Sequence, residues 1–128
     1  MSSPTSIALA VTCEPHLARI VRMTAANVAA LSSMSVERVE DIRMAAEEAF
    51  IYACGTAPGE DVVVDFDADL DHVAMTFQLS APSFVEPSED DPTAAYVDLI
   101  LGSVCDVYEK HEAPARLVLD VKADVDAI

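Results

Sequence analysis

The run S-V-E-R-V-E-D-I-R-M-A-A-E-E-A-F-I-Y-A-C-G, from Ser35 to Gly55, constrains this chain more than any other stretch. Val36, Val39, Ile42, Ala46, Ala49, Phe50 and Ala53 recur at steps of three and four, so a helix gathers them on one face. Ser35 is placed to cap it, and Met34 with Val39 has the spacing of a hydrophobic staple. Glu37, Glu40 and Asp41 fall in the first turns, where the helix dipole favours anions. Gly55 is the expected stop, with Pro58 beyond it. A second stripe, Glu37, Asp41, Met44, Glu48 and Tyr52, runs along the same helix.

The rest of the chain arranges itself around this helix. Ser6 to Thr12 alternates, with Ile7, Leu9 and Val11 on one side, and predicts a strand. Glu14-Pro15 opens a helix expected to end near Ser32, its buried face read as Leu17, Ile20, Val21, Thr24, Val28 and Leu31. Arg19 and Arg22 on its outer side read as solubilising residues paired with nearby carboxylates. Val62 to Phe66 and Val73 to Leu79 predict two strands joined by the acidic turn D-A-D-L-D-H. The series Asp65, Asp67, Asp69, Asp71 lacks the central Gly and terminal Glu of a calcium loop, so it reads as a turn. Ser80 to Pro92 is loop. Asp91-Pro92 then caps a helix from Thr93 to Val104, with Val97, Ile100, Leu101 and Val104 inward. Val107 to Glu112 and Arg116 to Val121 close the order as strands.

That order predicts a single domain over residues 1–128, an α+β two-layer sandwich with helices on one face of a mixed, mainly antiparallel sheet. With 7 basic and 23 acidic residues the net charge is −16, which repels nucleic acid and anionic membrane surfaces and suits a basic protein partner. Cys13, Cys54 and Cys105 are odd in number, widely spaced and without a C-x-x-C, which fits a reduced, cytoplasmic setting. His16, His72 and His111 form no ligand-spaced pair, so no metal site is expected from them. No run is long enough to span a bilayer, and the N-terminus lacks the features of a secretory signal.

The block D-I-R-M-A-A-E-E-A-F-I-Y-A resembles the first conserved box of the anti-sigma factor serine kinases, a branch of the GHKL (histidine-kinase-like, Bergerat-fold) ATPases. The resemblance implies the Bergerat fold and puts Glu48 at the general-base position and Tyr52 at the position of the Asn that holds magnesium. A phenol, with a pKa of about 10, is a poor ligand for a hard cation that needs compact oxygen donors. Aligned on Phe84, the family's D-x-G-x-G-F becomes L-S-A-P-S-F, so Leu79 replaces the adenine-reading Asp, while Ala81 and Ser83 replace the glycines. The second glycine-rich stretch, which would offer backbone N–H groups to phosphate, reads P-T-A-A-Y-V-D-L.

By this resemblance the chain is expected to be a regulatory protein-binding domain that has lost ATP binding and kinase activity. It would have no cofactor, form a homodimer and sequester a sigma factor or a STAS-type anti-anti-sigma protein. The first strand, Ile7 to Val11, could pair across the two-fold axis. Two alternatives stand beside it. One is an active serine/threonine kinase using ATP and magnesium, with Glu48 as base and Asp41 or Asp91 as substitute metal ligand. The other is an unrelated α+β scaffold whose helix matches by chance.

Overall fold

A computed structural model describes residues 5–84 and 92–125. Five strands form one sheet: β1 (Thr5–Thr12), β2 (Asp61–Ala68), β3 (His72–Gln78), β4 (Val107–His111) and β5 (Arg116–Lys122). Three helices join them, α1 (Ala18–Ala29), α2 (Val36–Thr56) and α3 (Thr93–Val104), with a 3₁₀ turn Pro15–Leu17 leading into α1. The strand order is β1-β2-β3-β5-β4. Every pairing is antiparallel, which corrects the expected mixed sheet. The helix α3 and the short strand β4 carry the chain past β3, and β5 then returns between β3 and β4 antiparallel to both.

The alternation read in the sequence decides which face is covered. Val62, Val64 and Phe66 of β2, Val73, Met75 and Phe77 of β3, and Leu117, Leu119 and Val121 of β5 are fully buried on the helix side. Asp65, Thr76, Val118 and their neighbours lie on the other face, which no helix covers among the described residues.

Packing between α1 and α2 departs from the sequence reading. The buried face of α1 is Ala18, Val21, Ala25, Val28 and Ala29, whereas Ile20 and Leu31 are about half exposed (50% and 46%). Val21 and Val28 are buried as expected, but the stripe is turned toward Ala18, Ala25 and Ala29. Alanines then take the inner stripe against the buried Ala45, Ala46 and Ala49 of α2, and small side chains let the two helices lie close. α1 also stops at Ala29 rather than near Ser32, the chain closing through Leu31 N–H to the Val28 carbonyl and Ser32 N–H to the Ala29 carbonyl.

At the start of α2 the cap forms as its sequence implies. Ser35 Oγ accepts from Arg38 N–H at 3.2 Å, and Met34 and Val39 pack against the core. Val36, expected on the buried face, is 77% exposed in the first turn. Gly55 does not stop the helix: it continues to Thr56 with Ala57 as C-cap, and the left-handed residue is Gly59 at φ 77°. The helix α3 has the expected bounds and Pro92 at its N-cap, while Asp91 lies outside the described residues.

Arg38 ties these layers together from the first turns of α2. Its guanidinium donates to Asp106 at 2.7 Å, to Asp41 at 3.1 Å, to the Val104 carbonyl at 3.1 Å and to the Lys122 carbonyl at 2.8 Å. One side chain thus closes the C-terminal end of α3 against the end of β5, satisfying a carbonyl that the helix leaves unpaired. No described helix is long and apolar enough to cross a membrane.

Candidate functional site

Glu48 and Tyr52 lie one turn apart on α2, so both project toward the same side. Glu48 is half-buried. Burial raises its carboxyl above the usual carboxylate range, and the neighbouring charge of Glu47 adds to the effect. Among the described residues no hydrogen-bond donor reaches this carboxylate. Glu47 itself is held by Arg22 at 3.1 Å, the pairing that the outer face of α1 suggested.

Tyr52 is 4% exposed. Its ring lies 5.4 Å from that of Phe84, tilted by 31°, a favourable aromatic contact. The Lys110 ammonium, arriving on the helix side of the edge strand β4, donates to the Tyr52 hydroxyl at 3.0 Å. The same ammonium stands 5.1 Å from the Tyr52 ring centroid and 5.6 Å from that of Phe84, within cation–π range of both. Asp98 of α3 neutralises it at 3.1 Å. The Asp98 carboxylate also accepts from Tyr108 at 2.6 Å. Burial works against the ammonium, but hydrogen bonds to Tyr52 and Asp98 outweigh it and leave the Lys110 pKa raised. Burial raises the Tyr108 phenol, and the Asp98 carboxylate that accepts its proton raises it further.

The other positions singled out in the sequence come together behind this group. Leu79 is buried, its N–H donating to the Ala115 carbonyl at 3.0 Å. The Ala81 carbonyl accepts from Ala115 N–H at 2.8 Å, and the Pro82 carbonyl accepts from Ala113 N–H at 2.8 Å. Phe84 N–H donates to Glu112 at 3.1 Å. The segment 79–84 is thus laced to the turn between β4 and β5, while Ser83 points to solvent. Asp41 is not assembled with Glu48: it lies about two turns nearer the start of α2 and is engaged by Arg38.

Lys110 was legible only as a cation distant in sequence, and Asp98 and Tyr108 were not legible as site residues at all. The signal that could have found them is economy of charge: Asp98 is the one charged residue of α3, on an otherwise uncharged helix.

Chemically, the group is a closed polar knot. Ammonium, carboxylate and two phenols bond to one another against an aromatic wall. A depression of about 490 Å³ does occur on this molecule, but on the opposite, uncovered face of the sheet, lined by Asp65, Asp67, Thr76, Gln78 and Arg116 among others. The two features are separated by the sheet itself. The chain matches no protein-family model and no curated protein sequence.

Proposed function

We propose that this chain is a regulatory protein-binding domain of the anti-sigma-factor type, a GHKL-like domain whose nucleotide site is filled from within. The observation that carries this reading is the burial of Tyr52 between Phe84 and Lys110, at the position where the sequence resemblance puts the magnesium-holding Asn. A bulky phenol that already accepts a hydrogen bond from an ammonium offers magnesium no compact oxygen, and its ring takes the space a phosphate would need. Leu79, at the adenine-reading position, is apolar and buried, which supports the same conclusion. What remains is a folded, strongly acidic surface suited to a basic partner, here a sigma factor or a STAS-type protein.

One observation favours the kinase reading instead. The half-buried Glu48 carboxyl, raised by burial, has the character of a general base. It stands without a metal ligand beside it among the described residues, because Asp41 belongs to Arg38.

Calorimetric titration with magnesium ATP, beside a thermal-shift scan, separates the two. A site filled at a hundred times its dissociation constant would raise stability by about 2.7 kcal/mol. The binding-domain reading expects neither heat nor shift, together with a stable complex when purified sigma factors and STAS-type proteins of the source organism are titrated in. ATP binding that Glu48→Ala abolishes would replace it with the kinase.

A further inference from the structure

The outer surface of α3 is uncharged in a chain of net charge −16. Its one charged residue, Asp98, is turned to Lys110. On its solvent side Leu99 is 71% exposed and Tyr96 61%, more than any other described large apolar side chain except Val36. Ala95, Gly102 and Ser103 are exposed beside them. Leu99 follows Ala95 by a step of four and precedes Gly102 by a step of three, so these residues form one stripe along the helix. An exposed apolar surface with a polar rim marks a contact site.

The rim on the α2 side is acidic. The helices α2 and α3 pack together and run antiparallel. Arg38, in the first turn of α2, reaches the Val104 carbonyl at the end of α3, whereas Tyr52, toward the end of α2, shares Lys110 with Asp98 in the middle of α3. Glu48 falls between Arg38 and Tyr52 and so lies alongside the stretch of α3 between Asp98 and Val104. Met44 stands one turn before Glu48, and Glu37 two turns before Met44, on the second stripe of α2. Met44 and Glu37 are exposed. Neither glutamate takes part in an ion pair or hydrogen bond among the described residues. Glu48 has thus lost part of its hydration without gaining a cation, as its raised carboxyl pKa reflects.

We infer that the outer groove between α2 and α3 docks one amphipathic helix of a partner protein, apolar along one stripe and bearing lysine or arginine along the stripe beside it. The apolar stripe covers Leu99 and Tyr96. Gly102, with open space where a side chain would stand, lets the two backbones approach. The cations meet Glu48 and Glu37, and give the half-buried carboxylate the counter-charge it lacks. Helix-in-groove recognition uses such anchors at steps of three and four. A second copy of this chain is disfavoured as the occupant, because it would bring −16 of like charge to an acidic rim. This rests on the binding-domain reading for the class of partner, and not on the state of the Tyr52 site.

Fluorescence anisotropy on the full chain tests it. The probe is a labelled helical peptide of about 18 residues, with leucine at steps of three and four and lysine on the flanks. It is expected to bind, and to bind Leu99→Asp about tenfold more weakly. Leu99 is exposed, so that variant keeps the fold. Glu48→Gln should weaken the complex about fivefold and flatten its salt dependence. Asp67→Asn removes one charge from the far face of the sheet and should change the affinity by less than about twofold. A peptide with glutamate in place of lysine should not bind. Equal affinity for wild type and Leu99→Asp, a loss through Asp67→Asn as large as through Glu48→Gln, or no binding at all would each overturn the inference. So would a Leu99-dependent dimer that forms in place of the complex. Magnesium ATP titrated into the same preparation reads the Tyr52 site separately. ATP binding beside a Leu99-dependent peptide complex would sink the filled-site reading and leave the groove, and neither ATP binding nor a peptide complex would do the reverse.

Discussion

The Lys110 ammonium donates to the Tyr52 hydroxyl at 3.0 Å across 58 residues of sequence, joining the edge of the sheet to the C-terminal part of α2. Each group needs the other. A buried phenol must satisfy its oxygen, and an ammonium beside two aromatic rings must keep its donors occupied. Tyr52→Phe is therefore expected to lower stability by about 1 kcal/mol, and Lys110→Met by a similar amount. Urea denaturation of both single variants and the double variant checks the coupling. The double should fall short of the sum by at least about 0.5 kcal/mol. Strict additivity would show that the contact contributes nothing.

Arg38 is the second place where one side chain joins distant elements. Removing it takes the guanidinium from the Val104 and Lys122 carbonyls and leaves the Asp106 carboxylate only the Lys122 N–H, at 2.7 Å. Arg38→Ala is expected to cost about 2–3 kcal/mol by urea denaturation. Arg38→Lys should recover only part of this, because an ammonium cannot span partners arranged around a planar guanidinium.

His72 predicts a pH dependence. Its hydrogen bond to Asp120 at 2.7 Å raises the imidazole pKa, burial opposes this, and the charges of Asp120, Asp69 and Asp71 add to the rise. A histidine whose folded pKa exceeds its unfolded value stabilises fully below the unfolded value, about 6.5. That contribution is lost as pH rises through the folded value. Urea midpoints are therefore expected to decline from pH 6 to 8, roughly the range in which an imidazole titrates. Asp120→Asn should flatten the decline, and an identical slope in the variant would rule out His72 as its source.

Glu48 contributes with the same sign from a different cause. Burial raises its carboxyl pKa, so the folded state holds the proton more tightly than the unfolded chain does, and stability falls as pH rises through that window. Glu48→Gln removes the charge and is expected to raise the melting temperature at neutral pH, by an equivalent of up to about 0.5 kcal/mol. The gain should vanish in acid, where the native carboxyl is protonated. A variant that melts earlier at neutral pH would mean the carboxylate has a favourable partner.

The helix α3 and the alternating strands were legible because their signals are local. Thr93–Val104 is bounded by a proline and an apolar stripe, and in β2, β3 and β5 every second residue is apolar. The inner face of α1 was not, because side-chain size suggested Ile20 and Leu31 while the approach of α2 selected alanines. Tyr52 was legible as a residue of the second stripe on α2. Its surroundings were not, because Lys110 is placed by the return of β5 between β3 and β4 and Asp98 by the packing of α3 on α2, and no local pattern encodes that crossing.

That crossing also sets an order of events during synthesis. The strand β5 is an inner strand of the sheet, yet it is the last of the five to be translated. Until Arg116–Lys122 has left the ribosome, β3 presents His72–Gln78 as an open edge, with Val73, Met75 and Phe77 only half sheltered. The unfinished chain thus carries a sticky strand that the finished one conceals, and for that interval it is a natural client for a chaperone.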